Sequence, residues 1–250
     1  MARTPPPLNR DDDHGPIWIW GVHAALAALA NPRRRIERIV ATRNAASRLP
    51  AGVEAQLHEP DAIDRMLPPG AVHQGLAVRA WPLEPLALDE ACAPADARPV
   101  VVLDAITDPH NVGAIFRSAA AFSARAIVLQ DRKAPPLTGT LAKSAAGAVE
   151  LVPEVRVVNI ARALERLEAL GYLTVGLTGE AELGLAEALA DPRPIALAVG
   201  AEGKGLRPGV LGACARAARI PIAPAMESLN VSNAAAIALY EAARRATAGG

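Results

Sequence analysis

Residues 195–205 read Ile-Ala-Leu-Ala-Val-Gly-Ala-Glu-Gly-Lys-Gly, an apolar run that ends in glycines and a carboxylate. Such a run is typical of a strand buried on both faces of a sheet. Similar runs recur after residue 99, and stretches with helical spacing separate them, so the pattern predicts an α/β fold with a covered parallel sheet. The predicted strands are Val100–Asp104, Ala126–Gln130, Val149–Pro153, Leu173–Leu177, Ile195–Val199 and Ala218–Ile222.

The region upstream of this sheet predicts a second, smaller α/β domain. Short apolar runs, including 53–57, alternate with helix-like stretches between Ile17 and Trp81. Residues 82–99 contain four prolines and no sustained apolar period, which indicates a linker. We therefore predict a disordered extension at 1–16, a small domain at 17–81, a linker at 82–98 and the larger domain at 99–248.

Composition and charge limit the classes of partner. The chain has 26 basic and 26 acidic side chains, so its overall field gives no reason to expect a polyanion. The basic residues are nevertheless locally clustered, because six arginines lie in the segment from Arg33 to Arg48. This cluster is either a phosphate-binding surface or a solvated face. Two distant cysteines indicate a reducing compartment without a metal site, and no apolar stretch is long enough to span a membrane.

The loop after Asp104 leads into a helix. Residues 108–117 read Asp-Pro-His-Asn-Val-Gly-Ala-Ile-Phe-Arg, and we predict a helix at Val112–Phe122 with Asn111 as its N-cap. Arg117 lies about a turn and two-thirds beyond Asn111. Backbone N–H groups at such a helix start can bind an anion. A capped surface helix with one arginine explains the same residues.

The loop after Val199 matches neither common phosphate-binding pattern. A Walker loop needs Ser or Thr after Gly-Lys, and Gly205 stands there. The dinucleotide pattern fails because Pro208 occupies the third glycine position. Glu202 also repels pyrophosphate, so the loop favours a neutral or cationic small molecule that approaches the backbone closely.

A third loop leads from the last predicted strand into a long amphipathic helix at Val231–Ala248. It contains Ser228, Asn230 and Ser232, each of which is a suitable helix cap. Helix capping alone explains these residues, so this loop is informative only together with the other two.

Together, these loops resemble the three signature motifs of the SpoU/TrmH family of RNA methyltransferases. The matching residues, in the family's order and approximate spacing, are Asn111-x-Gly113 with Arg117, Gly200-x-Glu202-Gly203 ahead of Gly205, and Ser228-Leu229-Asn230-Val231-Ser232. Residues 143–148 resemble a further serine-containing segment. Residues 21–26 and 73–77 resemble the family's substrate-binding domain, which is of the ribosomal protein L30e type.

The resemblance implies a fold and an activity. The expected fold is a SPOUT domain whose C-terminal segment passes through a loop to form a deep trefoil knot, preceded by the L30e-like domain. The expected reaction is transfer of a methyl group from S-adenosylmethionine to a ribose 2′-hydroxyl of RNA. Similarity is greatest to the enzymes that methylate a guanosine in bacterial 23S rRNA, with tRNA guanosine methyltransferases as the alternative. A cytoplasmic homodimer that binds neither DNA nor membranes is implied.

The resemblance also implies site residues. The expected cofactor-binding residues are Gly200, Gly203, Ile220, Ile222 and Leu229. The expected catalytic residues are Asn111, Arg117, Glu202, Ser228 and Asn230. The arginine cluster adds Arg33, Arg34 and Arg35 as RNA-binding residues, and no metal ion is expected.

The expected roles follow from the chemistry of each group. We predict that Arg117 positions the target and stabilises an oxyanion, because free arginine, with a pKa of about 12.5–13.8, is a poor general base. Glu202 is expected to orient Arg117 or a nearby backbone group, and Ser228 to bind the nucleotide. Asn111 and Asn230 are expected to hold the loops together.

Two other classes of protein compete with this interpretation. One is an α/β enzyme that binds NAD or another nucleotide, which the failure of both glycine patterns disfavours. The other is a non-catalytic RNA-binding relative. Such a relative is expected to lack Arg117, Glu202 or Asn230, and all three are present.

Overall fold

The computed structural model describes residues 15–93, 95–132, 134–135, 139–223 and 225–248. The chain forms two compact units that divide between Glu84 and Pro85, inside the segment predicted as a linker. Residues 1–14 of the predicted disordered extension lie outside the described ranges. Within those ranges, no helix has the length and apolar character needed to cross a membrane.

The first unit contains a four-stranded sheet in the order β1-β4-β2-β3. Its strands are β1 (Ile17–Trp20), β2 (Ile36–Ala41), β3 (Gln56–Leu57) and β4 (Leu76–Ala80). Its helices are α1 (Val22–Ala30), α2 (Arg43–Ala46) and α3 (Pro60–Asp64). The strand β4 pairs antiparallel with both β1 and β2, and an apolar cluster around Trp20, Val40 and Ile63 forms the core.

The second unit contains a six-stranded sheet in the order β10-β8-β9-β5-β6-β7, and all of its pairings are parallel. Its strands are β5 (Val100–Asp104), β6 (Ala126–Gln130), β7 (Glu154–Val157), β8 (Leu173–Leu177), β9 (Ile195–Gly200) and β10 (Arg216–Ala218). Its helices are α4 (Leu88–Cys92), α5 (Pro109–Ala121), α6 (Gly139–Ser144), α7 (Ile160–Ala169), α8 (Leu185–Ala188), α9 (Pro208–Leu211) and α10 (Val231–Ala248).

Helices cover both faces of this sheet. Val100 and Val102 of β5 join α7 in one apolar cluster. Val101 and Leu103 are equally buried, and they point to the opposite face because side chains alternate along a strand. The helices α5 and α10 contact each other and the sheet. The predicted α/β fold with a covered parallel sheet is therefore confirmed.

Two predicted strands are misplaced. The apolar run Val149–Pro153 overlaps a 3₁₀ turn, Ala148–Glu150, and the strand β7 begins only at Glu154. The last predicted strand, Ala218–Ile222, is instead β10, which ends at Ala218. In the strand order of the sheet, β7 and β10 are the two edge strands. Edge strands tolerate charged residues such as Arg156 and Arg216. A search for apolar runs therefore does not detect these two strands.

The segment after the unit boundary packs into the second unit. The Leu86 N–H donates to the Glu154 carbonyl at 2.9 Å, and Cys92 in α4 is fully buried. The Tyr172 hydroxyl donates to the Cys92 carbonyl at 2.9 Å. Residues 85–93 of the predicted linker are therefore structured and anchored to the second unit.

Candidate active site

The carboxyl ends of β8, β9 and β10 surround a cavity of about 460 Å³. This is the usual position of ligands in parallel sheets, and the volume suits a small organic molecule. Four segments line it: residues 177–180 after β8, residues 199–205 at the end of β9, residues 218, 220 and 222 after β10, and residues 227–229, 231 and 234 around the start of α10. The predicted cofactor residues Gly200, Gly203, Ile220, Ile222 and Leu229 all line this cavity.

A tight turn after β9 forms one wall, and we call residues 200–206 the glycine loop. The Gly205 N–H donates to the Ala201 carbonyl at 2.8 Å. A Cβ on Gly200 would lie only 2.0 Å from the Gly205 carbonyl carbon, so a side chain there cannot be accommodated. Gly203 and Gly205 have φ angles of 72° and 61°, a region that disfavours residues with a Cβ. The closed shape of this loop therefore requires glycine at these positions.

The tip of the glycine loop carries Glu202, which joins all three signature segments. Its Oε1 accepts hydrogen bonds from the Asn230 side-chain amide, from the Val231 backbone N–H at 3.3 Å and from Asn111 Nδ2 at 3.5 Å. The Asn230 amide also donates to Asn111 Oδ1 at 3.2 Å. In the described part of the chain, Glu202 makes no hydrogen bond or ion pair with Arg117.

The start of α10 explains the position of this carboxylate. Asn230 caps the helix, since its Oδ1 accepts from the Ser232 N–H at 2.9 Å and the Asn233 N–H at 3.4 Å. The N-terminus of a helix carries partial positive charge and unsatisfied N–H groups. The Glu202 carboxylate lies beside this terminus, where its negative charge offsets the partial positive charge and its Oε1 accepts from the Val231 N–H. Glu202 therefore stabilises the contact between the glycine loop and the start of α10.

The first signature segment is built differently from the prediction. The N-cap of α5 is Asp108, whose side chain accepts from the His110 N–H at 3.0 Å, and not Asn111. The helix begins at Pro109, because proline suits the first helical turn. Asn111 is therefore inside the first turn and its amide is available to Glu202 and Asn230.

The serine-containing segment supports the same helix. A Cβ on Gly113 would lie 2.6 Å from the Ser144 Cβ, so only glycine permits this close contact between α5 and the end of α6. The Ser144 hydroxyl donates to the His110 carbonyl at 3.2 Å. Gly113 therefore brings two chain segments together at the start of α5.

Two predicted catalytic residues remain outside the Glu202 network. Ser228 is exposed and lines the cavity. Arg117 is exposed on α5, outside the cavity lining, and has no hydrogen-bond or ion-pair partner among the described residues. An arginine without a partner retains all its N–H donors for a ligand.

Sequence reasoning missed part of the cavity wall. Thr178 and Glu180 line the cavity on the loop after β8. The Thr178 N–H donates to the Ala218 carbonyl at 3.0 Å, which continues the parallel pairing into the loop. The rule that ligands bind at the carboxyl ends of strands applies to β8 as well, and would have identified this loop.

The three predicted RNA-binding arginines differ in exposure. Arg33 and Arg35 are exposed, and the Arg35 guanidinium lies 4.8 Å from the centroid of the Trp81 ring. Arg34 is buried and donates from Nη1 to the Trp81 carbonyl at 2.8 Å. Arg34 therefore stabilises the end of β4, and as a buried group it is not available to RNA.

Comparisons with known proteins agree with this architecture. A model of the SpoU rRNA Methylase family matches residues 98–240. The 23S rRNA (guanosine-2′-O-)-methyltransferase RlmB of Vibrio vulnificus is 37% identical over 240 residues, which cover 91% of this chain and 96% of that protein. The protein of the same name from Escherichia coli K12 is 35% identical over 239 residues, which cover 91% and 98%.

A solved structure shares the fold. The SpoU methyltransferase AviRb from Streptomyces viridochromogenes, in complex with the cofactor AdoMet, superposes with a TM-score of 0.81 and 23% identity. The match covers 97% of this chain and 96% of that one. The similarity in fold therefore extends to each of the two compact units.

Proposed function

Because the chain belongs to the SpoU rRNA methylase family, we propose that it methylates the 2′-hydroxyl of a guanosine ribose in 23S rRNA, with S-adenosylmethionine as methyl donor. The observation that carries the proposal is the meeting of three distant segments beside one cavity, through the bonds of Glu202 to Asn111, Asn230 and Val231. Relatives of nearly the same length are named for this reaction.

The cavity suits S-adenosylmethionine in size and charge. Its apolar walls, formed by Leu177, Val199 and Ala218, suit an adenine ring. Its lining carries three carboxylates, of Glu180, Glu202 and Glu227, against one cation, Lys204, and this negative balance suits a ligand with a sulfonium and an ammonium group. When bound, the cofactor supplies an electrophilic methyl group.

We assign cofactor binding to five residues that line this cavity: Gly200, Gly203, Ile220, Ile222 and Leu229. Gly200 and Gly203 let the backbone approach the ligand, because neither has a side chain in the way. The backbone groups of the other three serve adenine recognition, and their side chains supply apolar contact.

Arg117 is the catalytic group in this proposal. The ribose 2′-hydroxyl must be held in line with the methyl group, and negative charge develops on its oxygen. A guanidinium is always protonated in proteins and has a fixed fork of donors. We assign it to holding the target nucleotide and stabilising the developing oxyanion.

The remaining signature residues position the site. Glu202, Asn111 and Asn230 hold the glycine loop, α5 and α10 together through shared hydrogen bonds. Ser228 lies exposed at the cavity and is assigned to hydrogen bonding with the nucleotide. Of these residues, only Ser228 is proposed to contact RNA directly.

We assign RNA binding to the first unit, with an L30e-like fold, and to two of its arginines. Arg33 and Arg35 are exposed, and a guanidinium stacked on an indole, as Arg35 is on Trp81, presents both charge and a flat surface to a nucleotide. Replacing Arg33 and Arg35 with alanine should weaken RNA binding and reduce its salt dependence by about two charges. The exposed Arg65 of the same unit is the control, and equal effects of both changes would contradict the assignment.

Three further properties belong to the same proposal. The second unit is proposed to contain a deep trefoil knot, formed by the chain that passes from β10 into α10. The protein is proposed to act as a homodimer in the cytoplasm, because these properties accompany the family resemblance. RNA, and neither DNA nor a membrane, is its proposed macromolecular partner.

Methyl transfer from labelled S-adenosylmethionine to separate pools of unmodified 23S rRNA, 16S rRNA and tRNA tests the proposal. Label is expected in 23S rRNA at one guanosine, and a 2′-deoxy substitution at that nucleotide should abolish it. Label in tRNA would identify the tRNA guanosine methyltransferase alternative. RNA binding without label in any pool would identify a non-catalytic relative.

A further inference from the structure

The base of the glycine loop is fixed by an ion pair between Asp104 and Arg207. Asp104 is the last residue of β5, its side chain is fully buried, and it pairs in register with Gly200. Arg207 follows the loop and donates from Nε and Nη2 to Asp104 Oδ1 at 2.9 and 2.5 Å. The Arg207 backbone N–H donates to Oδ2 at 3.0 Å. One carboxylate therefore holds the end of the loop beside its beginning.

The hydrogen bonds of this pair fix the orientation of Arg207. A buried carboxylate needs partners for both oxygens, and here one residue supplies them through its fork and its backbone. Arg207 has a second side-chain partner in Gln130 at the end of β6, whose Oε1 accepts from Arg207 Nη2 at 3.1 Å. Arg207 is therefore oriented from two strand ends.

The backbone around Asp104 is also constrained. Ala105 follows it with a φ of 58°, a left-handed conformation that is costly for a residue with a Cβ. Such strain persists where the surrounding structure fixes the chain, and the side chain of the preceding residue, Asp104, is held here by its bonds to Arg207. Neither Asp104 nor Arg207 lines the cavity, so any effect on a ligand must pass through the loop.

Leu206 at the end of the loop is buried in the core cluster, whereas residues 202–205 are exposed. The internal bond of the loop joins Gly205 to Ala201, and Glu202 anchors its tip to α10. Gly203 and Gly205 give it backbone freedom that other residues lack. Without an anchor at the base, the loop has access to open conformations in which the cavity wall is lost.

We propose that Asp104 and Arg207 are a positioning pair for cofactor binding, which holds the glycine loop in the conformation that forms the wall of the S-adenosylmethionine site. The inference rests on the proposed assignment of this cavity to S-adenosylmethionine. Loss of the pair raises the Kd and KM for the cofactor, and leaves kcat at saturating cofactor nearly unchanged.

The test compares Arg207→Ala and Arg207→Lys with Arg156→Ala in the full chain. Arg156 also pairs with a buried carboxylate, Glu154, but on the edge strand β7, which contributes nothing to the cavity wall. Calorimetric titration with S-adenosylmethionine should show a Kd raised roughly tenfold or more for Arg207→Ala, since a charge-assisted pair is lost. Arg207→Lys should fall between this variant and the wild type, because lysine keeps the charge and loses the fork. Arg156→Ala should bind as the wild type does.

Hydrogen exchange in the free protein gives an independent readout. The Gly205 amide, which is bonded within the loop, should exchange faster in both Arg207 variants and at the wild-type rate in Arg156→Ala. Wild-type Kd and wild-type exchange in Arg207→Lys would overturn the inference, even if Arg207→Ala does not fold. If the wild-type chain binds no S-adenosylmethionine, the proposed function fails, whereas the exchange rates still decide whether the pair holds the loop.

Discussion

The two ends of the parallel strands in the second unit use charged side chains in different ways. At the amino ends, carboxylates and arginines neutralise each other. Asp96 accepts hydrogen bonds from Arg125, and Asp191 accepts them from Arg193 and Arg216. The hydrogen bonds from Arg193 hold the pKa of Asp191 well below its usual range.

At the carboxyl ends, Asp104 and Arg207 also pair with each other, but several charged groups around the cavity remain available. Glu180 and Glu227 line the cavity, and neither has an ion-pair partner among the described residues. Arg117, on the helix that begins there, also has no such partner in the described ranges. Groups that serve stability are satisfied within the protein, whereas groups that serve binding keep their donors and acceptors for a ligand.

The largest expected effect is at Arg117. Replacing it with alanine should lower kcat by roughly 100- to 1,000-fold, because a donor to the developing oxyanion is lost. The melting temperature should stay the same, because the side chain makes no bond within the described structure. The assay is methyl transfer to 23S rRNA, with thermal unfolding measured in parallel.

The control for Arg117 is Arg162, an exposed arginine on α7 whose side chain also lacks a partner in the described part of the chain. Arg162→Ala should retain full activity. Full activity in Arg117→Ala would refute its catalytic role.

Replacing Arg125 should lower stability and leave activity unchanged, the opposite of the result expected for Arg117. Arg125 follows α5 and donates to Asp96 and to the carbonyls of Ala91 and Ala93. Its replacement with alanine should lower the free energy of unfolding by about 2 kcal/mol, because three acceptors lose a charged donor. The measurement is urea unfolding, and kcat per folded molecule should not change.

Arg98 is the matched control, because it pairs with the same Asp96 and is half exposed. Arg98→Ala should cost less than about 1 kcal/mol. Equal losses in the two variants, or a loss of kcat in folded Arg125→Ala, would remove the contrast between the two ends of the sheet.

The smallest expected effect is the pH dependence contributed by Asp191. Its pKa is lowered from 3.8 in the folded state, so the unfolded chain binds a proton first as the pH falls, and stability is lost through that range. Asp191→Asn should remove this contribution, about 1 kcal/mol at neutral pH, and flatten the acid side of the stability curve.

The control for this prediction is Asp131→Asn, because the Asp131 side chain is exposed and has no partner in the described ranges. It should leave the curve unchanged. A curve for Asp191→Asn that falls as steeply below pH 4 as the wild type would assign the acid sensitivity to other groups.

The sequence predicts the inner strands of the parallel sheet well and its two edge strands poorly. The bounds of β5, β6 and β8 are as predicted, because these strands are largely apolar and each lies between two neighbours. At the edges of this sheet, β7 and β10 are displaced from their predicted bounds. An edge strand is only partly buried, so its composition is less restricted and an adjacent apolar run can be mistaken for it.

The candidate site was predictable only where one segment contains its own signal. The glycine loop and the start of α10 are continuous motifs, and their residues meet at the cavity. The pair of Asp104 and Arg207 is separated by more than a hundred residues, and neither residue type is unusual by itself. Parallel pairing of β5 with β9 brings them together, and the sequence alone does not reveal that strand order.

Cofactor binding to two matched glycine variants tests the account most directly. A Cβ at Gly200 would collide with the backbone of Gly205, whereas a Cβ at Gly209 in α9 has no atom within 4 Å. In calorimetric titrations with S-adenosylmethionine, the wild type and Gly209→Ala should bind with the same Kd, and Gly200→Ala should show no binding. Equal binding by all three proteins would contradict the placement of the cofactor against the glycine loop.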